Sequence, residues 1–253
     1  MAEATVAVAV RVLGTVSVLF WSALFLPQLY ENYARSSTVG LSQAMCFIWC
    51  LSGSACAAYL IYYDENVSLI IQFSLMSFGS LLTMGQIFLY DTFARDLKGR
   101  LPYLSAFVAT LLLLLFFVGF GAGLLFLFVA AASDTVALLL GSVLPAVGFA
   151  AGFFPQIYEI VRTESGRGYS TGLSLLDSTG CVTATVALLL DGGDPVGLVS
   201  YVVIFSLQYV MLLLKWRYPG PPKIPGGTTA AAGEENLQKS RKHGGDVEED
   251  QRL

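Results

Sequence analysis

Seven runs of about twenty apolar residues, separated by short polar breaks, set the order of this chain. They lie at Val8–Gln28, Gln43–Tyr62, Val67–Leu89, Tyr103–Ala130, Thr135–Gln156, Thr171–Leu190 and Val196–Trp216. A helix needs about 20 apolar residues to cross the hydrocarbon core of a bilayer, so each run predicts one spanning helix. The breaks are polar or turn-forming: Tyr63-Asp64-Glu65-Asn66 after the second run, Asp91 to Arg100 after the third, and Asp191-Gly-Gly-Asp-Pro195 after the sixth. After Tyr218 the chain turns to Pro-Gly-Pro-Pro and then to polar and charged residues. That tail has too little apolar surface to fold and is expected to be disordered.

Composition supports the same class. The 253 residues are 55% hydrophobic and 13% charged, about half the charged fraction of a soluble domain. The placement of the charges adds the orientation. Thirteen of the fourteen basic residues fall on one side of a seven-span topology: Arg35 between spans one and two, Arg95, Lys98 and Arg100 between three and four, Arg162 and Arg167 between five and six, and the rest at the C-terminal end. Arg11 is the exception, and the opposite loops carry only acids. By the positive-inside rule the N-terminus is lumenal or extracellular and the tail cytosolic. The four cysteines, Cys46, Cys50, Cys56 and Cys181, lie in apolar runs and are expected to be free, buried hydrophobes. No histidine, cysteine and acid grouping suggests a metal site or a catalytic centre. His243, the sole histidine, belongs to the tail.

One stretch is written twice. Phe25-Leu-Pro-Gln-Leu-Tyr-Glu-Asn-Tyr-Ala-Arg-Ser-Ser-Thr-Val-Gly-Leu-Ser42 returns as Phe153-Phe-Pro-Gln-Ile-Tyr-Glu-Ile-Val-Arg-Thr-Glu-Ser-Gly-Arg-Gly-Tyr-Ser170, at an ungapped offset of 128 with eight identities in eighteen pairs. Such long-range self-similarity marks a structural repeat. The predicted fold is all-α and integral to the membrane. Two parallel three-helix repeats (residues 1–102 with the following loop, and 134–218) are joined by a linker helix (103–133), and the tail is 219–253. Two abutting three-span units would be inverted, and the linker restores the same orientation. Parallel repeats are a known transporter plan, with the solute bound between the halves near the midplane.

The repeated stretch carries Pro27-Gln28 and Pro155-Gln156. Proline inside a helix removes a backbone hydrogen bond and kinks the helix, and the glutamines are candidates to satisfy freed backbone groups. The matched pairs are read as hinges of a gate on the cytosolic side; the alternative is a static kink at each helix end. Pro145 predicts a further kink in span five that span one, with Ser17 at the equivalent position, lacks. Asp177 is the next candidate, a single charge seven residues into an otherwise uncharged span. A carboxyl at membrane depth is costly and functional by default, and loss of water favours its protonated form. These are the properties of a proton-coupling or substrate site; the alternative is a structural carboxyl bonded to Ser178, Thr179 or a neighbouring helix. The repeat-equivalent of Asp177 is Trp49, so the acid is absent from the first half. Gln43, Gln72, Gln86, Gln208, Tyr201 and Ser206 are polar groups in or at the ends of spans that line a cavity or join helices. Glu31 and Glu159 are expected to be solvated or paired with local arginines, and Gly119-Phe-Gly-Ala-Gly123 is read as a helix-packing face.

The paired Pro-Gln motifs with a downstream S-x-x-G-x-S resemble the PQ-loop family, which includes cystinosin and the vacuolar and lysosomal exporters of cationic amino acids; the SWEET sugar carriers and the KDEL-type retrieval receptor share the same seven-span plan. The segment Gly168-Tyr-Ser through Leu-Leu-Asp177 to Gly180 is similar to the cystinosin segment whose aspartate couples substrate to protons, with Cys181 where that segment has a second glycine. The resemblance implies a secondary transporter that exports a small polar solute, an amino acid such as a cationic amino acid or cystine, from vacuole or lysosome to cytosol. Asp177 is the implied coupling residue and the proton the coupling ion; no other cofactor is implied. The expected partners are the solute and the bilayer, and no nucleic acid. A solute-sensing receptor or scaffold and a pH-independent sugar facilitator are the alternative functions.

Overall fold

The computed structural model describes residues 2–93, 100–192 and 195–222. The predicted disordered tail beyond 222, His243, and the loop residues Arg95, Lys98 and Asp194 lie outside the described residues. Among the described residues, seven helices are long and apolar enough to cross a membrane, and the chain is an integral membrane protein. In chain order the helices are α1 (Ala2–Ser22), α2 (Leu26–Arg35), α3 (Gln43–Tyr62), α4 (Val67–Ile87), α5 (Leu101–Ala131), α6 (Asp134–Leu138), α7 (Leu144–Thr163), α8 (Thr171–Leu190) and α9 (Pro195–Arg217). The first span is α1 with α2, and the fifth is α6 with α7. A π-helical turn, Phe88–Thr92, ends the third span, and another, Leu139–Val143, joins α6 to α7.

Two boundaries depart from the hydrophobic pattern, and for one reason. The pattern ends spans one and five at Gln28 and Gln156, whereas the helices run on to Arg35 and Thr163. In α2 the amphipathic sense is reversed. Gln28 and Asn32 are buried, while Leu26, Tyr30 and Tyr33 point outward. A helix with its polar side chains inside the bundle has no apolar run by which to find its end. Both helices close identically. Ser36 and Glu164, 128 apart, adopt left-handed conformations (φ 48° at each), and the next N–H bonds back to Asn32 or Ile160.

The six repeat helices close into a ring. α1 packs against α4 and α8, α3 against α4 and α7, and α9 against α7 and α8. In each repeat the third helix therefore sits between the first and second, and the repeats meet where the first helix of one lies on the second helix of the other. α5 stands outside the ring, against α3 and α4. It is apolar on all sides and exposes Leu112, Leu115, Val118 and Phe126, as a helix facing lipid must. All four cysteines are free; Cys46, Cys50 and Cys181 are buried and Cys56 is partly so.

Candidate functional site

The duplicated stretch closes one face of the ring by a reciprocal exchange between repeats. Gln28 donates from Nε2 to the Gly168 carbonyl (2.9 Å) and accepts from the Ser170 N–H at Oε1 (2.7 Å). Gln156 donates to the Gly40 carbonyl (2.8 Å) and accepts from the Ser42 N–H (2.7 Å). The two sets are related by the offset of 128 at every atom. Each glutamine thus holds the loop of the other half and not a carbonyl freed by its own proline. Both are completely buried, where a hydrogen bond left unmade is expensive.

The rest of the motif serves the same contact. Ser37 and Ser165 accept from the N–H two residues on, shaping the two loops alike. Gly40 needs its positive φ of 87°. Gly168 needs the absence of a side chain, since a Cβ there would lie 2.0 Å from the Gly40 carbonyl carbon. Ser42 and Ser170 begin α3 and α8. Ser42 caps by accepting from the Met45 N–H, whereas the Ser170 hydroxyl donates to Glu31 across the boundary (2.6 Å). Glu31 is therefore a cross-repeat acceptor, while Glu159 pairs locally with Arg162 (2.9 Å). Arg35 reaches the Arg167 carbonyl in the other loop.

Above this latch sits an aromatic plug. Trp49 lies edge-on between Phe25 and Phe153, themselves repeat-equivalents, with ring centroids 5.9 and 5.1 Å away. All three are at least 96% buried. Beyond the plug opens a cavity of about 450 Å³ lined by residues of all six ring helices, among them Trp21, Trp49, Gln72, Phe73, Phe149, Asp177 and Tyr201. Leu69, Ser142 and Val199, which also line it, lie near the ends of their spans on the N-terminal face, so the cavity extends toward that face and the latch seals the other.

Asp177 is at the floor, 5% exposed. Its Oδ1 accepts from the Trp21 indole N–H of the first repeat (2.8 Å), and its Oδ2 accepts from the Gln208 amide on α9. Gln208 in turn accepts from the Tyr169 hydroxyl (3.1 Å), and Lys215 donates to the Tyr169 carbonyl. Tyr169 stands between Gly168 and Ser170, so a hydrogen-bonded chain joins the carboxylate to the latch. Burial, with the Asp177 charge behind it, pushes the Tyr169 phenol up from its ordinary range and keeps it a donor. Trp21 reaches the acid because Gly180 leaves room; a Cβ there would lie 2.8 Å from the indole nitrogen. The same positions meet on the other side with roles reversed: Trp49, equivalent to Asp177, donates to the carbonyl of Phe149, equivalent to Trp21 (2.9 Å).

The prolines are not equivalent in structure. Pro27 directly follows the break between α1 and α2 at residues 23–25, whereas Pro155 lies inside an unbroken α7. The irregularity of span five lies at the π turn before Pro145, in line with the asymmetry expected there. Sequence reasoning singled out Asp177 and both glutamines. It passed over Trp21, Asn32 and Tyr169, and gave Gln208 no more weight than Gln43, although Gln208 bonds the carboxylate directly. The available signal was position: Gln208 and Ser80 are repeat-equivalents, so the amide, like Asp177, is present in one half alone.

The profile of the PQ loop repeat matches residues 9–69 and 140–197, which hold the first two spans and the start of the third in each half. The chain is a PQ-loop repeat protein. The motif that defines the PQ-loop repeat is, in this structure, the latch itself. Two curated relatives are similar over most of the chain. An uncharacterized protein of Schizosaccharomyces pombe is 25% identical over 219 residues, covering 85% of this chain and 74% of the relative. An uncharacterized membrane protein of Saccharomyces cerevisiae is 24% identical over 204 residues, covering 79% of this chain and 64% of the relative, just under two thirds of its length.

Proposed function

We propose that this PQ-loop protein is a secondary transporter that couples a small polar solute to the proton gradient across an endomembrane, vacuolar or lysosomal, with Asp177 as the coupling acid. The observation that carries the reading is the place of Asp177: a lone carboxylate on a cavity floor, hydrogen-bonded to the opposite repeat through Trp21 and to the closing loop through Gln208 and Tyr169. A group in that position senses both the solute space and the gate. With the tail cytosolic, the cavity faces the lumen and the latch closes the cytosolic side. Rocking of the halves breaks four hydrogen bonds between glutamine side chains and loop backbone, about 2–6 kcal/mol in all once water has replaced them. That size is compatible with two states that exchange.

The solute's charge sets the mode. A neutral or zwitterionic solute, such as the amino acid that the resemblance implies, leaves the lumen with the proton; a cation replaces it. The reading is tested in proteoliposomes with lumenal pH 5 and external pH 7, loaded with a panel of amino acids and amines. Protein-dependent flux that collapses with a protonophore is the expected result. Flux indifferent to the gradient would remove the coupling, and binding without flux would favour a receptor.

A further inference from the structure

The cavity is one-sided in its charge. Its polar lining includes the Asp177 carboxylate and Gln72, whose Oε1 is buried, 3% exposed as a residue, and has no hydrogen-bond partner. Among the described residues, no lysine, arginine or histidine lines it. The two indole N–H groups at the floor are already engaged, Trp21 on Asp177 and Trp49 on the Phe149 carbonyl. The space thus presents one carboxylate, the unpaired Gln72 Oε1, the uncharged hydroxyls of Ser142, Ser200 and Tyr201, and the rings of Trp21, Trp49 and Phe73. Aromatic faces attract cations. A carboxylate entering here would meet the like charge of Asp177 and no cation to offset it.

We infer that the solute is a small organic ammonium ion without a carboxylate, its charge held by Asp177 and Gln72 and its apolar body against the aromatic floor. The inference rests on the reading of this cavity as the transport site and departs from the amino-acid class that the resemblance implies. One carboxylate carries a proton or pairs with an ammonium, not both, so proton and solute alternate on Asp177. One proton leaving toward the cytosol then balances one singly charged cation taken toward an acidic lumen. The titratable groups near Asp177 are the Cys181 thiol on its own helix, the Tyr169 phenol behind Gln208 and, on the cavity wall, the Tyr201 phenol packed on Trp21 and the Cys56 thiol. The side chains that reach it from α1 and α9, Trp21 and Gln208, do not titrate. Thiols and phenols stay neutral between pH 5 and 7.5, so a pH effect on binding in that range reports the carboxylate.

The test is titration calorimetry of the full-length protein with three probes sharing one phenyl body: phenethylammonium, phenylalanine and 3-phenylpropionate. At pH 7.5 phenethylammonium binds at least tenfold more tightly than phenylalanine, and 3-phenylpropionate gives no binding heat. At pH 5 the phenethylammonium affinity falls at least tenfold, and Asp177→Asn abolishes both the preference and the pH effect. Gln72→Leu, which leaves the acid in place, weakens phenethylammonium roughly threefold and keeps the order of the probes. The inference is overturned if phenylalanine or 3-phenylpropionate binds as tightly, if pH 5 leaves the affinity unchanged, or if no probe binds at millimolar concentration. If the probe order holds but no solute crosses proteoliposomes, the transport reading fails and the ligand class stands. If the order fails while proton-coupled amino acid flux persists, the ligand class fails alone.

Discussion

Gln28 and Gln156 do the same work with unequal support. Each bonds a carbonyl and an N–H of the opposite loop, but Gln28 also donates to Asn32 (2.8 Å), which donates on to Gln86. Replacing either by leucine leaves a buried carbonyl and N–H unpaired, at roughly 1–3 kcal/mol for each group. Thermal unfolding in detergent is expected to show both losses, with Gln28→Leu the larger because the Asn32 Oδ1 loses its donor too; an equal or smaller loss for Gln28→Leu contradicts the assigned partners. Gly168→Ala puts its methyl into the Gly40 backbone and lowers stability more than either. The candidate residues were unevenly legible for a physical reason. Asp177 stands out because a single charge in an uncharged span breaks the local pattern. The partners of the glutamines are 140 and 116 residues away in sequence, and a hydrogen bond across that separation leaves no local trace. The duplication pointed to the motif as a unit but not to the exchange of partners between its copies.

Among the helices, the seven spans were readable because a bilayer demands long apolar runs. The reversed amphipathicity of α2 was not, since its buried face is polar, and its hydropathy reads as a loop. The matched prolines were read as matched hinges, and the structure separates their settings: α1 and α2 are discontinuous before Pro27, while α7 is continuous through Pro155. Hinge residues absorb backbone change, and their loss alters turnover. In proteoliposomes Pro27→Ala is therefore expected to slow initial solute flux about tenfold, by making the first span continuous, and Pro155→Ala to change it less than about threefold. Equal slowing by the two substitutions would restore the matched hinges.

For the molecule as a whole, a ring of six helices encloses a cavity that runs toward one face and is closed at the other by the latch. Accessibility tests that polarity. In a Cys56→Ala background, which removes the partly buried thiol lining the cavity, Ser142→Cys is expected to react with a membrane-impermeant maleimide added to the N-terminal face and to resist the same reagent from the tail face. Parallel repeats and their orientation were argued from charge and span parity, global quantities that a sequence carries. The closed ring was not, because the order of helices within each repeat depends on packing between segments far apart in the chain.

The central claim, that Asp177 couples solute to protons, is tested most directly by measuring solute flux in proteoliposomes with and without an imposed pH gradient, for the wild type and for Asp177→Asn. The substitution keeps the shape of the side chain and removes its titration. Wild-type flux should follow the gradient, and any flux remaining in Asp177→Asn should be the same with the gradient or without it. Asp177→Asn flux that follows the gradient as the wild type does would contradict the account.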